Sequence, residues 1–262
     1  MSALHVIKIG GNIIDDSKAL TAFLEKFSAL EGNKILVHGG GKIASRVATD
    51  MGVPVQMVEG RRVTDEQMLN VVTMVYAGLT NKQVVAELQH RHCNAIGLCG
   101  ADANAIQAVK RPVDKIDYGF VGDMLPDSVN VLSITRLLAS GFTPVFSAIT
   151  HDGKGQLLNT NADTIASSLA VALSVSYQVS LVYCFDKNGV LSDVNDEDSV
   201  IDTIRSSEFS ALHANRVIHD GMIPKLFNAF DALSKGVSDV YIGHARDLHL
   251  YQQQKFGTRL IA

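Results

Sequence analysis

Two lysines occupy positions that are hard to explain by folding alone. Lys8 lies inside the apolar run HVIKIGGNII, residues 5 to 14, where an ammonium group is costly to bury without a negative partner. Lys225, in HDGMIPKLFNAF, is predicted to lie at or near the start of a helix, where the helix dipole disfavours a cation. Both positions indicate an anionic ligand, although for Lys225 an exposed surface position is the simpler alternative.

Glycines follow two predicted strands. Gly10-Gly11, the first glycine loop, comes after Lys8, and Gly39-Gly40-Gly41, the second glycine loop, separates ILVH from a helical pattern. Glycine lets the backbone approach a ligand closely, and the free N–H groups of a following helix favour a phosphate. A tight strand-to-helix turn is the alternative for either loop alone.

The second glycine loop also fits a dinucleotide-binding pattern. Gly39, Gly41 and Ala44 satisfy G-x-G-x-x-A, and Glu59 follows about 20 residues later, where such a fold places its ribose-binding acid. A dinucleotide-binding oxidoreductase is therefore an alternative, but it leaves Lys8 unexplained. The P-loop pattern fails because Ile43 stands where Ser or Thr should hold Mg²⁺.

The string LLNTNAD places Asn159, Asn161 and Asp163 at alternating positions. In an extended chain these side chains point the same way, and Asp163 could instead cap a helix beginning at Ala162. Asparagine suits carboxylate or amide oxygens, and the aspartate could hold a lysine electrostatically. Turns and caps are the alternative explanation for such clusters.

The string EGRRVTDEQM contains two arginines before a predicted helix. Thr64 is the predicted N-cap, with Gln67 completing a capping box. The guanidinium groups of Arg61 and Arg62 suit bidentate carboxylate binding, with solvated surface as the alternative for either arginine.

Short apolar runs alternate with helical patterns along the chain, which predicts a mainly parallel sheet covered on both faces. The predicted strands are His5–Ile9, Lys34–Val37, Ala95–Leu98, Thr143–Ser147, Val179–Cys184 and Val237–Ile242. The predicted helices are Ala19–Leu30, Ile43–Met51, Asp65–Arg91 with a bend at Gly78, Ser133–Ser140, Ala162–Leu173, Ser206–Leu212 and Met222–Lys235. Pro112–Pro126 is predicted to form a hairpin or a lid, and Thr150–Gly155 a turn.

Composition excludes several classes of function. The 262 residues carry a formal net charge of −4, with no basic footprint for nucleic acid or a membrane surface. Three cysteines without a CxxC pair indicate a reduced compartment, and the N-terminus lacks a signal-peptide pattern. We therefore expect a cytoplasmic protein.

Taken together, these motifs resemble the amino acid kinase family over essentially the whole chain. The matching segments are IKIGG (7–11), VHGGG (37–41), EGRRVT (59–64), GLCGADAN (97–104), GQLLNTNAD (155–163), FDKNGVL (185–191), DGMIPK (220–225) and GTRLIA (257–262). The resemblance implies a three-layer αβα sandwich around a mainly parallel central sheet. It also implies an N-terminal lobe, 1–160, that binds the acyl amino acid and dimerises, and a C-terminal lobe, 161–262, that binds the nucleotide.

The implied reaction is ATP-dependent phosphorylation of the γ-carboxylate of an N-acylated L-glutamate, with an acetyl group by family, an early step of arginine biosynthesis. The resemblance makes Lys8, Lys225 and Asp163 the catalytic residues: the lysines stabilise the transferring phosphoryl group and the aspartate organises both. The implied substrate-binding residues are Gly40, Gly41, Arg62, Asn159 and Asn161. The implied ATP-binding residues are Lys8, Gly10, Gly11, Asp186, Gly189 and Lys225, with Mg²⁺ carried by the ATP phosphates and no metal ligand from the protein.

Several alternatives stay open at this point. A related carboxylate or carbamate kinase of the same fold, or a kinase for another N-acylglutamate such as N-succinylglutamate, would carry the same motifs. The additional charge of Arg61 could meet a second carboxylate on an unusual acyl group, or it could be surface. A catalytically silent sensor is disfavoured because both lysines and Asp163 are present. The first strand begins without the N-terminal helical extension of arginine-inhibited members, so we expect a homodimer.

Overall fold

The structure, a computed structural model, describes residues 1–193, 195–214 and 222–262. Its strands are β1 Ala3–Ile9, β2 Asn33–His38, β3 Met57–Val58, β4 Arg61–Arg62, β5 Ala95–Leu98, β6 Val109–Lys110, β7 Val121–Asp123, β8 Thr143–Ser147, β9 Ile149–His151, β10 Leu157–Thr160, β11 Gln178–Phe185, β12 Thr203–Arg205, β13 Asp239–His244 and β14 Thr258–Ile261. Its α-helices are α1 Gly11–Asp15, α2 Ser17–Ala29, α3 Gly41–Asp50, α4 Glu66–Val72, α5 Asn81–His90, α6 Val131–Ala139, α7 Ala162–Leu173, α8 Ser206–Ala214 and α9 Ile223–Ser234.

Two compact units divide the chain. The discontinuous unit comprises residues 1–35 and 166–262, and the continuous unit comprises residues 36–165. The sequence predicted lobes 1–160 and 161–262, so the first 35 residues group differently from that expectation. The reason is strand pairing: β1 lies parallel to β11 along its whole length, with Lys8 opposite Tyr183. The functions assigned to the two lobes remain predictions.

The discontinuous unit contains a mainly parallel sheet with the strand order β12-β14-β13-β11-β1. Its pairs are parallel except for β13 with β14. The apolar residues around Lys8 are fully buried, as Val6, Ile7 and Ile9 are each 0% exposed, whereas Lys8 itself is only half-buried. Lys8 is therefore not fully enclosed by the core, which reduces the desolvation cost that the sequence suggested.

The continuous unit pairs the end of β2 with β8, and β8 with β5, all parallel. A second sheet has the order β6-β7-β10-β9, and β3 and β4 form a two-stranded antiparallel ribbon. The predicted hairpin at Pro112–Pro126 is confirmed: β6 ends just before this segment, β7 lies within it, and the two strands pair antiparallel. The predicted fold class, a mainly parallel sheet with helices on both sides, is also confirmed.

The long helix predicted over Asp65–Arg91 forms as three consecutive segments. Between α4 and α5 the residues Thr73–Thr80 adopt a π-helix, and Gly78 lies within it. π-Helical turns insert an extra residue into an α-helix and frequently occur at functional sites. The predicted cap at Thr64 is wrong: the carboxylate of Asp65 accepts from the N–H of Met68, one residue later than expected.

Within the described residues, no helix is both long and apolar enough to cross a membrane.

Candidate active site

In the discontinuous unit, the first glycine loop lies where β1 ends and α1 begins. The N–H of Gly10 donates to the carbonyl oxygen of Cys184 at 2.8 Å, which continues the pairing of β1 with β11. Gly10 therefore uses its N–H as a donor within the sheet. Gly11, the first residue of α1, is the glycine of this loop whose N–H has no acceptor among the described residues.

Asp186 contacts α1 directly after this loop, and Lys225 lies over the ring of the preceding residue, Phe185. Asn12, in α1, donates its side-chain amide to a carboxylate oxygen of Asp186 at 2.7 Å. The Nζ of Lys225 lies 5.1 Å from the centroid of the Phe185 ring, within the range of a cation–π interaction. Lys225 is in the first turn of α9, as predicted, and Asp220 and Gly221 of the same motif lie outside the described residues.

Gly189, also predicted to bind ATP, has a packing reason for being glycine. A Cβ at this position would lie 2.8 Å from both Thr258 Oγ1 and Val200 Cγ1. Such distances are shorter than real Cβ contacts, so a side chain would displace both neighbours. Close packing inside the discontinuous unit thus accounts for this glycine without a ligand.

The continuous unit holds a cavity with a volume of about 500 Å³, within the range of small-molecule sites. Its walls bring together Gly40, Gly41, Arg62, Asn159 and Asn161, all five of the residues predicted to bind the substrate. Residues that were not assigned from the sequence also line it, namely Tyr76, Arg111, Asp123, Met57, Gly60, Met124, Val121, Gly122, Ala148, Thr160, Ala162 and Thr164.

Arg62 is a buried charged group in the wall of this cavity, since it is only 8% exposed. Its Nη2 donates to the carbonyl oxygen of Gly41 at 2.8 Å and to Ser45 Oγ at 2.7 Å. In the described part of the chain, Arg62 has no carboxylate partner. A buried guanidinium without a counter-charge is unfavourable, and a carboxylate bound in the cavity would provide one.

Tyr76, from the π-helical segment, lies against this arginine and the second glycine loop. Burial raises the pKa of its hydroxyl, while the charge of Arg62 and a hydrogen bond to it act in the opposite direction. Gly40 has φ 150°, and a Cβ there would lie 3.0 Å from Cδ1 of Tyr76. Only glycine fits this backbone conformation next to the ring.

The two asparagines line the cavity and also form hydrogen bonds within the protein. Asn159 donates its amide to Thr64 Oγ1 at 3.0 Å, and that hydroxyl donates to the carbonyl oxygen of Arg62 at 3.0 Å. Asn161 caps α7, since its Oδ1 accepts from the N–H groups of Asp163 and Thr164. The suggestion that Asp163 caps this helix is therefore wrong, because the cap lies before Ala162 and Asp163 is already in the first turn.

Arg111 and Asp123 form an ion pair that the sequence reasoning missed. Nε of Arg111 lies 3.0 Å from one carboxylate oxygen of Asp123, and Nη2 donates to the other. Arg111 directly follows β6 and Asp123 ends β7, so the antiparallel pairing of these strands brings the two residues close together. The predicted hairpin at Pro112–Pro126 was the signal that could have identified them.

Comparison with known proteins identifies the family of this chain. The family model described as "Amino acid kinase family" matches residues 3–244. The chain belongs to the amino acid kinase family. A protein of Cytophaga hutchinsonii named "Acetylglutamate kinase" is 53% identical over 100% of both chains, and one of the same name from Bacteroides fragilis is 52% identical over 94% of both.

A solved structure shares the fold of this chain. A protein from Streptococcus mutans UA159 superposes with a TM-score of 0.78 at 27% identity, covering 99% of this chain and 98% of that one. Membership of the amino acid kinase family also argues against the alternative of a dinucleotide-binding oxidoreductase. Glu59 lies in the turn between β3 and β4 rather than at the end of a neighbouring parallel strand, where a ribose-binding acid belongs.

Proposed function

We propose that this protein transfers the γ-phosphoryl group of ATP to the γ-carboxylate of N-acetyl-L-glutamate, an early step of arginine biosynthesis. The observation that carries the proposal is the buried guanidinium of Arg62 in the wall of a 500 Å³ cavity. Curated relatives at about half identity, all named "Acetylglutamate kinase", support the same activity. The α-carboxylate of the substrate is the proposed partner of Arg62.

The remaining polar groups of the cavity suit the rest of an N-acylated amino acid. Asn161 can contribute its Nδ2 donors, because its oxygen is occupied by the helix cap. The oxygen of Asn159 stays available as an acceptor, since its nitrogen donates to Thr64. A donor and an acceptor side by side match the carbonyl and N–H groups of an amide. Gly40 and Gly41 would face the reacting carboxyl group.

The residues of the discontinuous unit fit a polyphosphate. Lys8, Lys225 and the N–H of Gly11 are donors, and the two lysines add positive charge. We propose that both lysines stabilise the transferring phosphoryl group and that Asp163 organises them, as the family resemblance implies. When bound with ATP, Mg²⁺ neutralises charge on the phosphates; Asp186 and the first glycine loop would lie beside the nucleotide.

The proposed reaction requires the protein mainly to position the reactants and to compensate charge. A γ-carboxylate is already ionised and nucleophilic at pH 7, so no general base is needed to activate it. Phosphoryl transfer depends on in-line placement of the acceptor and on compensation of charge at the transferred oxygens. Positive side chains and backbone N–H groups can supply that compensation. Lys8 and Lys225 would provide the charge, and the glycine loops would provide the N–H donors.

Arg61 supports a second candidate substrate. It lines the same cavity as Arg62 but is exposed, and no carboxylate pairs with it in the described ranges. An acyl group ending in a carboxylate, such as the succinyl group of N-succinylglutamate, would give this second guanidinium a partner. The same kinase chemistry would apply to that substrate.

A substrate panel tests the proposal directly. ATP would be incubated with N-acetyl-L-glutamate, N-succinyl-L-glutamate, N-acetyl-L-aspartate, free glutamate and carbamate, and the acyl phosphate would be trapped with hydroxylamine as the hydroxamate. We expect ADP and hydroxamate in equal amounts with an N-acylglutamate and neither with free glutamate. Turnover restricted to carbamate, or none with any acylglutamate, would refute the function.

We further propose a homodimer, because the π-helical segment exposes apolar side chains. Met74 is 50% exposed and Leu79 is 47% exposed. Sedimentation equilibrium of the wild-type protein and of a Met74→Lys, Leu79→Lys variant tests whether this surface is buried between two copies of the chain. We expect a dimer for the wild type and a monomer for the variant. The cytoplasmic location remains a prediction.

A further inference from the structure

The histidine that ends β2 lies directly before the second glycine loop and is completely enclosed. His38 is 0% exposed, its Nδ1 lies 2.8 Å from the carbonyl oxygen of Gly39, and its Nε2 lies 3.0 Å from Nδ2 of Asn81. A neutral imidazole has one donor and one acceptor nitrogen, so the partners decide which nitrogen carries the proton.

The surroundings of Asn81 settle that question. This residue, the first of α5, is also 0% exposed. Its Nδ2 lies 2.9 Å from the carbonyl oxygen of Val145, and its Oδ1 lies 3.1 Å from Nζ of Lys82. A carbonyl can only accept and an ammonium can only donate, so both contacts orient the amide with its nitrogen toward His38.

The orientation of the amide fixes the tautomer of the ring. Nδ2 of Asn81 can only donate, and therefore Nε2 of His38 accepts from it. The ring proton is then on Nδ1, which donates to the carbonyl oxygen of Gly39. A continuous chain of hydrogen bonds thus runs from the backbone of β8 at Val145, through Asn81 and His38, to the second glycine loop.

The bond to Gly39 determines where the next N–H points. In a planar trans peptide the C=O and N–H groups point in opposite directions. Because the carbonyl of Gly39 faces the enclosed histidine, the N–H of Gly40 is directed away from it. Gly40 lines the cavity and has φ 150°, a conformation that the surrounding structure must impose.

We propose that His38 and Asn81 are positioning residues, which hold the Gly39–Gly40 peptide so that the Gly40 N–H donates into the substrate cavity at the reacting carboxyl group. The role given to that N–H rests on the proposed kinase function. The hydrogen-bonded chain itself is independent of it. Neither residue touches the substrate in this scheme, since both act through the backbone of the glycine loop.

Charge would break this arrangement, and the site keeps the ring uncharged. Burial lowers the pKa of His38 to about 4, helped by the positive charge of Lys82 and opposed by the hydrogen bond to Gly39. A protonated ring would present an N–H at Nε2 to the NH₂ group of Asn81, leaving two donors face to face. The neutral form with the proton on Nδ1 therefore persists at physiological pH.

The first test observes the tautomer without using activity. Long-range ¹H–¹⁵N correlation spectra of the histidine rings at pH 7, with the His38 signals assigned by their loss in His38→Asn, report which nitrogen carries the proton. We expect a neutral ring protonated on Nδ1. A ring protonated on Nε2, or on both nitrogens, would overturn the proposal even if the kinase function holds.

The second test separates the two ring nitrogens by substitution. The amide nitrogen of His38→Asn can occupy the Nδ1 position and keep the bond to Gly39, whereas His38→Gln reaches only the Nε2 position. We expect the asparagine variant to keep kcat within about threefold. The glutamine variant should lose about 10- to 100-fold in kcat, with the KM for both substrates changed much less, because a reacting geometry is misplaced rather than a binding group removed.

Matched controls and outcomes keep the tests separable. The same two substitutions at His90, an exposed residue at the end of α5, should leave kcat and KM unchanged. Equal kcat in both His38 variants, a loss that appears in KM, or a loss that follows the melting temperature would each contradict the positioning role. If His38→Gln does not fold, the wild-type tautomer decides the question. If the wild type phosphorylates no acylglutamate, the proposed function fails while the tautomer result still stands.

Discussion

The two glycine loops read almost identically in the sequence but are built on different physical requirements. Gly10 donates its N–H to Cys184, and a Cβ there would make only ordinary contacts, 3.5 Å from the Cys184 carbonyl oxygen and Phe185 Cβ. Gly40 has a positive φ, and a Cβ would press against Tyr76 at 3.0 Å. The first loop thus continues a sheet, whereas the second holds a backbone conformation that side chains exclude.

The difference suggests a different division of labour in each loop. The first loop offers a half-buried lysine, Lys8, two residues before its glycines, so its contribution is carried by a side-chain charge. The second loop has no lysine before it but a buried histidine, and its contribution is carried by oriented backbone donors. Removing the charge beside the first loop should therefore lower kcat. Adding a side chain to the second loop should lower the free energy of unfolding.

The largest effect is expected from the charge of the first loop. Lys8→Met keeps most of the side-chain volume but removes the ammonium group, and we expect kcat to fall by about 10²-fold or more, as for loss of one electrostatic donor. Lys18→Met, at an exposed position in α2, is the matched control and should retain wild-type kcat. A Lys8→Met enzyme with near-normal kcat would mean that the first loop acts through its backbone alone.

The next effect concerns the arginine that donates to the second loop. Arg62→Gln should raise the KM for N-acetyl-L-glutamate by about 10- to 100-fold, corresponding to a charge-assisted hydrogen bond of about 1.5–3 kcal/mol. The KM for ATP should change little. Steady-state kinetics of Arg61→Gln provide the comparison: a small change with the acetyl substrate supports a surface role there, and a loss confined to N-succinyl-L-glutamate supports a second carboxylate contact.

The shape requirement predicts a difference in stability between the loops. Gly40→Ala should lower the free energy of unfolding by about 1–3 kcal/mol, because alanine is strained at that φ and meets Tyr76. Gly10→Ala should cost less than about 1 kcal/mol, since its φ of −72° suits any residue. Urea denaturation of both variants measures this. Equal losses would show that the two loops tolerate side chains alike.

Much of the fold followed from the sequence because hydrophobic periodicity marks buried strands well. The six predicted strands all occur, and α7 has the predicted bounds of Ala162–Leu173. The helix caps were less predictable, because Thr64 and Asp65 are both good capping residues and so are Asn161 and Asp163. Local preference does not decide between two neighbouring capping residues, so the sequence leaves the first residue of a helix uncertain by one or two positions.

The candidate site was predicted where motifs mark it and missed where pairing creates it. Arg62 and the asparagines stood out as polar residues at suggestive spacings. Tyr76 did not, because its role depends on the π-helical segment that turns it toward Gly40. The functional roles assigned to Lys8, Asp163 and Lys225 stay predictions, and the kinetics of Lys8→Met test the first of them.

A further effect concerns the stability of the protein in mild acid. The folded-state pKa of His38 is lowered to about 4 from the ordinary 6.5, so the unfolded chain binds the proton first. Stability is therefore fully present above pH 6.5 and is lost as the pH falls toward 4. Between pH 7 and 5 the free energy of unfolding should fall by up to about 2 kcal/mol. In this range only the unfolded chain takes up the proton, which stabilises the unfolded state by about 1.36 kcal/mol for each pH unit below 6.5.

Urea unfolding of the wild type and of His38→Asn at pH 7, 6 and 5 isolates this contribution. The variant has no titrating group at that position, so its stability should fall less steeply over the same range. Burial also lowers the pKa of His5, with the charge of Lys34 acting in the same direction, which gives both proteins a shared residual slope. Parallel curves for the two proteins would mean that His38 takes up a proton as readily in the folded state as in the unfolded chain, and the second loop would then lack the neutral support that distinguishes it from the first.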